Sequence, residues 1–109
     1  MNEKDRTVLL EFKKRIGSDI MSHIRKVMVF GSRARGDSFE DSDLDVIALV
    51  DEKTSSLEAR LDDVAYQVMW EHDFKPIISL KVLEESRYSD ALQKGYAFYR
   101  HVDQEGIPV

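Results

Sequence analysis

Residues 26–50 read KVMVFGSRARGDSFEDSDLDVIALV, and the order of residue types along this stretch decides the fold. Lys26 to Phe30 is an apolar run of strand length that ends at Gly31. Asp43 to Val50 is a second, apolar after its first three residues. Short apolar runs rich in β-branched residues and bounded by Gly, Ser and charge read as buried strands. Between them, residues 31–42 (GSRARGDSFEDS) read as a loop or a short exposed turn. A short connection such as this favours the two strands as antiparallel neighbours. The end of the first strand then lies beside the start of the second. Side chains two apart on a strand share a face. Asp43 and Asp45 therefore aim two carboxylates at one point, next to the Gly31–Ser32 backbone.

Working outward, Val8, Leu9, Phe12 and Ile16 recur at helical spacing over residues 3–15, so an amphipathic helix is predicted that stops near Gly17. Residues 18–24 add a short second turn. On the other side, Asp51 to Ser56 reads as a loop, and Ser55 with Glu58 has the spacing of a capping box. Leu57, Leu61, Val64, Ala65, Val68 and Met69 form one apolar stripe, which predicts a helix to about His72. Pro76 to Leu83 reads as a third strand with Pro at its tolerated first position. Glu84 to Glu105 reads as helix in two pieces broken near Gly95, with Gly106 as the stop. The expected order is α-β-β-α-β-α: an α/β fold with a small sheet and helices on at least one face.

Composition bounds the function. The chain has 109 residues, 42% hydrophobic and 34% charged, which fits one globular domain. Sixteen Lys and Arg against 21 Asp and Glu give a net charge of −5, which argues against gripping nucleic acid by bulk charge. With no cysteine there are no disulfides, thiolate zinc sites or cysteine nucleophiles. No apolar run approaches a membrane span of about 20 residues, and MNEKDRTVLLEFKKR is too charged for a secretory signal. A cytoplasmic location is the expectation.

The carboxylate pair beside Gly-Ser suits phosphoryl chemistry. Carboxylate oxygens are hard ligands for Mg²⁺, and paired ions can clamp the attacking and leaving oxygens of an in-line displacement. Gly31 has no Cβ, so a phosphate can approach its backbone. The Ser32 hydroxyl and nearby N–H groups can bond phosphate oxygens. Arg33 and Arg35 can neutralise a triphosphate with bidentate geometry. Singly, Asp-x-Asp, Gly-Ser and the two arginines each have an ordinary reading as solvated or turn residues. Jointly, an apolar strand, Gly-Ser, ten residues, and Asp-x-Asp opening a buried strand favour function, since unpaired charge there is costly.

The pattern Gly31-Ser32, ten residues, then Asp43-Leu44-Asp45 resembles the signature of the DNA polymerase β-type nucleotidyltransferase superfamily. The wording FGSRARGD with SDLDV is similar to its minimal nucleotidyltransferases, small prokaryotic proteins often paired with a HEPN-domain partner in toxin–antitoxin modules. The match is dense over about residues 28–50 and collinear beyond. The resemblance implies a palm-like mixed sheet with flanking helices across residues 1–109 as a single minimal domain. It implies dependence on Mg²⁺, two ions by expectation, and transfer of a nucleoside monophosphate, AMP from ATP, to a hydroxyl. In HEPN-linked members the acceptor is a partner tyrosine, whose adenylylation silences an RNA-cleaving toxin. Asp43 and Asp45 would hold metal, while Gly31, Ser32, Arg33 and Arg35 would bind the nucleotide.

Such proteins usually carry a third carboxylate on a later strand. Asp73 is the best candidate, at the entry to the third strand and sharing a face with Lys75 and Ile77. The competing reading is a helix-end or loop aspartate, because Ser79 and Lys81, not acids, occupy the middle of that strand. Asp37 and Asp41 flank the loop, to extend the metal site or merely to cap it. His23, His72 and His101 are scattered without metal-site spacing, and no serine sits in a hydrolase motif. Trp70, Phe74, Tyr96, Phe98 and Tyr99 read as core or interface. Two other functions stay open: an antitoxin that neutralises a HEPN partner by contact alone, and transfer to a small hydroxylated molecule.

Overall fold

The computed structural model describes residues 1–36 and 42–109. Helix α1 spans Glu3–Arg15, with the Asn2 side chain accepting the Asp5 N–H at 2.8 Å as its cap. A four-residue turn, α2 (Ser18–Met21), leads into strand β1 (Ile24–Phe30). The short helix α3 (Ser32–Arg35) follows, then β2 (Leu44–Val50), α4 (Ser55–Glu71), β3 (Ile78–Glu84), α5 (Glu85–Gln93), α6 (Ala97–Glu105) and a two-residue strand β4 (Ile107–Pro108). The sheet order is β3-β2-β1-β4. β1 pairs antiparallel with β2, as the short connection favours, and β2 pairs parallel with β3 across the α4 crossover.

Alternation along β2 divides the core. Leu44, Val46, Ala48 and Val50 face the layer of α1 and α4, where Val8, Leu9, Phe12, Leu57, Leu61, Ala65 and Val68 are buried. Ile47 and Leu49 face the other layer with Met28, Tyr88 of α5 and Val102 of α6. Both faces are covered, which explains why β2 reads as a continuous apolar run rather than an alternating one.

Several boundaries differ from the sequence expectation. Helix α4 is capped by Thr54, whose hydroxyl accepts the Leu57 N–H at 3.1 Å, so the cap lies one residue before Ser55. The region after Gly31 turns into α3, and Ala34 and Arg33 are buried. β3 starts at Ile78, two residues later than Pro76 suggests. Tyr66 and Trp70 are exposed and contact Phe74 in a small aromatic cluster on the outer side of α4. Among the described residues no helix is long and apolar enough to cross a membrane.

Candidate active site

The starts of β2 and β3 and the end of β1 meet at one end of the sheet. Phe30 is the register partner of Asp45, and Ser79 is its partner on the other side. The Leu44 N–H donates to the Ile77 carbonyl at 2.8 Å, which fixes the entry of β2 against the entry of β3. Asp45 is therefore central, with the Gly31–Ser32 turn on its β1 side and Ser79 and Lys81 on its β3 side.

Gly31 is held by that closeness. Its φ is +79°, in the region that L side chains rarely adopt, and a Cβ built there would lie 2.7 Å from Asp45 Oδ2. The chain leaves β1 at this glycine and closes one turn of helix, ending at Gly36, which is left-handed with φ +82°. Replacing Gly31 with Ala forces either the backbone or the carboxylate to move. The strained φ alone is expected to cost roughly 1–2 kcal/mol, read as a lower melting temperature. The displaced Asp45 is expected to abolish transfer as well, and an active Gly31→Ala variant of normal stability would refute this account of the turn.

Asp45 is half-buried and Asp43 exposed. Burial pushes the Asp45 carboxyl above its ordinary range, the Asp43 charge adds to that, and the Lys81 ammonium opposes it. A half-buried carboxylate with a like-charged neighbour fits a divalent cation, which relieves both penalties at once. The donor set is all oxygen, as Mg²⁺ prefers, and Mg²⁺ characteristically takes one or two carboxylates with the remainder from water and substrate phosphates.

The structure brings Gly31, Ser32, Asp43 and Asp45 together and places three other candidates elsewhere. Asp73 and Phe74 have φ of 55° and 57°, in the turn that closes α4, where the Phe74 N–H donates to the Met69 carbonyl. Asp73 is exposed and precedes the strand instead of lying on it. No group of three His, Cys, Asp or Glu side chains able to hold a metal occurs among the described residues, so Asp73 does not join the pair. Asp37 and Asp41 lie outside the described residues.

Arg33 turns inward. Its Nη1 donates to Asp5 Oδ1 at 3.0 Å and Oδ2 at 3.3 Å, and its Nε donates to the Ser42 carbonyl at 3.0 Å. This places Arg33 as an anchor of the turn, with its guanidinium on α1 and on the chain just before Asp43, where sequence reasoning had it facing a triphosphate. Arg35 is exposed and pairs with Glu105 of α6 at 3.2 Å. The two arginines thus tie α3 to a helix on each face of the sheet. Sequence reasoning did not assign Lys81 a role, although alternation from Ser79 puts both on the Asp45 face. Phe30, edge-on to Phe98 of α6 at 5.7 Å, walls the opposite side.

The family described as polymerase beta, nucleotidyltransferase matches residues 14–99. A relative from Methanocaldococcus jannaschii, named putative protein adenylyltransferase MJ0141, is 35% identical over 82 residues, covering 72% of this chain and 83% of that protein. Two solved structures share the fold. A crystal structure of a toxin–antitoxin with AMP-PNP superposes with a TM-score of 0.55 at 13% identity, over 95% of this chain and 70% of that one. A putative nucleotidyltransferase from Sulfolobus solfataricus gives 0.53 at 19%, over 96% and 82%. The chain belongs to the polymerase beta nucleotidyltransferase family.

Proposed function

We propose that this single minimal domain is a Mg²⁺-dependent adenylyltransferase that moves AMP from ATP to a tyrosine hydroxyl of a HEPN-domain partner and so acts as an antitoxin. The observation that carries the reading is how tightly the Gly31 backbone packs on the Asp45 carboxylate, where a Cβ would lie only 2.7 Å from Oδ2, with Asp43 beside it: a Gly-Ser turn set directly against a carboxylate pair. The name of the Methanocaldococcus relative supports a protein acceptor, and the AMP-PNP-bound toxin–antitoxin structure supports an adenine nucleotide and a partner protein. Gly31 and Ser32 seat the triphosphate, and Asp43 and Asp45 would hold Mg²⁺, which supplies charge neutralisation at the phosphates. The acceptor oxygen attacks the α-phosphorus and pyrophosphate leaves.

Mass spectrometry of the protein encoded in the neighbouring reading frame, after incubation with this protein, ATP and Mg²⁺, tests the proposal. The expected result is one added AMP on a tyrosine, absent with Asp43→Asn. A contact-only antitoxin is the second reading, and the lack of a third carboxylate among the described residues favours it. It requires that a folded Asp43→Asn/Asp45→Asn double variant still protect cells from the toxin, which the adenylyltransferase reading forbids.

A further inference from the structure

An in-line displacement puts the attacking oxygen opposite the leaving group. In this sheet the leaving pyrophosphate belongs with the Gly31–Ser32 turn, on the β1 side of Asp45. The attacking hydroxyl must then arrive over β3, where the register sets Ser79 beside Asp45 and Lys81 beside Ile47 on the same face. That strand, ISLKVLE, carries no acid until Glu84 at its far end. β3 itself thus sets no carboxylate beside Asp45 to take the acceptor's proton. In its place stands Lys81, exposed and making no hydrogen bond or ion pair with a described residue.

We propose that Lys81 is a catalytic residue of the acceptor side: its ammonium holds the acceptor oxygen as an oxyanion, which confines the site to hydroxyls acidic enough to ionise without a protein base. The proposal rests on the transferase reading above. A tyrosine phenol ionises at about 10, whereas an unactivated hydroxyl such as that of water ionises only far above that. A fixed cation can help the first appreciably and cannot make the second a nucleophile near neutrality. The balance is simple. The phenol releases its proton to solvent, the phenolate oxygen forms a bond to the α-phosphorus, and the bond from that phosphorus to the bridging oxygen of pyrophosphate breaks. Lys81 keeps its own protons throughout. Lys81 also lies close enough to Asp45 to oppose the rise in that carboxyl's pKa, so the two charges border one site.

The test uses the partner found modified above, prepared with ordinary tyrosine or with the more acidic 3-fluorotyrosine. Lys81→Ala is expected to lower the rate of AMP transfer about tenfold or more while the Kd for ATP with Mg²⁺, read by calorimetry, stays within about twofold. Lys81→Arg should recover part of the rate, and fluorotyrosine should restore Lys81→Ala more than it speeds the wild type. A Lys81 that merely neutralises Asp45 would change the Kd and leave the response to acceptor acidity untouched. The proposal is overturned if Lys81→Ala transfers at the wild-type rate, if its loss is all in ATP affinity, or if acceptor acidity affects both proteins alike. Wild type that transfers nothing overturns the transferase reading and this proposal together, whereas the other outcomes leave that reading standing.

Discussion

Asp45→Asn is expected to abolish nucleotidyl transfer and, in metal-free solution near neutral pH, to raise the melting temperature. The two effects have one cause. Asp45 is half-buried beside Asp43, and burial first, then that neighbouring charge, raise its folded-state pKa above the ordinary carboxylate value. Between the unfolded and the folded pKa the native state binds more protons than the unfolded state, so stability falls as pH rises through that window. At neutral pH the full penalty is present. Asn carries no charge and escapes it, so the difference between wild type and variant should vanish below the ordinary carboxylate range.

Added Mg²⁺ should reverse the ranking, because a cation that binds the folded state stabilises it by mass action. It should raise the melting temperature of wild type and leave that of Asp45→Asn unchanged. The loss of transfer should exceed the roughly 10–100-fold that removing an outer-shell partner of a metal ligand typically costs, since the ligand itself is gone. Asp43→Asn should lose transfer similarly with a smaller gain in stability, because Asp43 is exposed. The account fails if Asp45→Asn melts below wild type in chelator, or if Mg²⁺ stabilises both proteins equally.

Much of this site is legible in the chain because it is local. Gly31 and Asp45 are joined by one short connection between two apolar runs, which favours antiparallel pairing and sets the end of β1 beside the start of β2. What sequence reasoning misses depends on distant partners or on backbone geometry. Arg33 reads as a phosphate ligand because Asp5 lies 28 residues away, in the first turn of α1, where an acid has an ordinary helix-dipole role. Asp73 reads as the entry to a strand because Pro76 suits a strand start, whereas positive φ at two successive residues keeps it in the turn. β4 is two residues long and carries no periodicity. The parallel pairing of β2 with β3 is set by the α4 crossover, and only that register reveals Ser79 and Lys81 as neighbours of Asp45.

Arg33→Ala is expected to destabilise the protein by about 3–5 kcal/mol, the usual cost of removing one partner of a buried ion pair. Asp5 is 1% exposed and Arg33 8%, so water cannot replace the lost guanidinium, and the carboxyl group is left in the core layer without that partner. The melting temperature should fall by at least about 10 °C for a domain of this size. Asp5→Ala should also destabilise the fold, because the buried Arg33 guanidinium loses the carboxylate it pairs with. The pair Asp5→Leu/Arg33→Met removes both charges while keeping apolar volume, so it should be more stable than either alanine variant. Its transfer rate should nonetheless stay low, because a thioether in place of the guanidinium cannot donate to the Ser42 carbonyl that steadies the approach to Asp43. Arg33→Lys should also fall short, since one ammonium cannot span the Asp5 carboxylate and that carbonyl together. A triphosphate ligand at this position would behave in the opposite way: Arg33→Ala would keep its melting temperature and lose ATP affinity. Thermal denaturation and ATP calorimetry on these variants therefore decide whether Arg33 serves the nucleotide directly or, as its contacts with α1 indicate, by holding the turn that receives it.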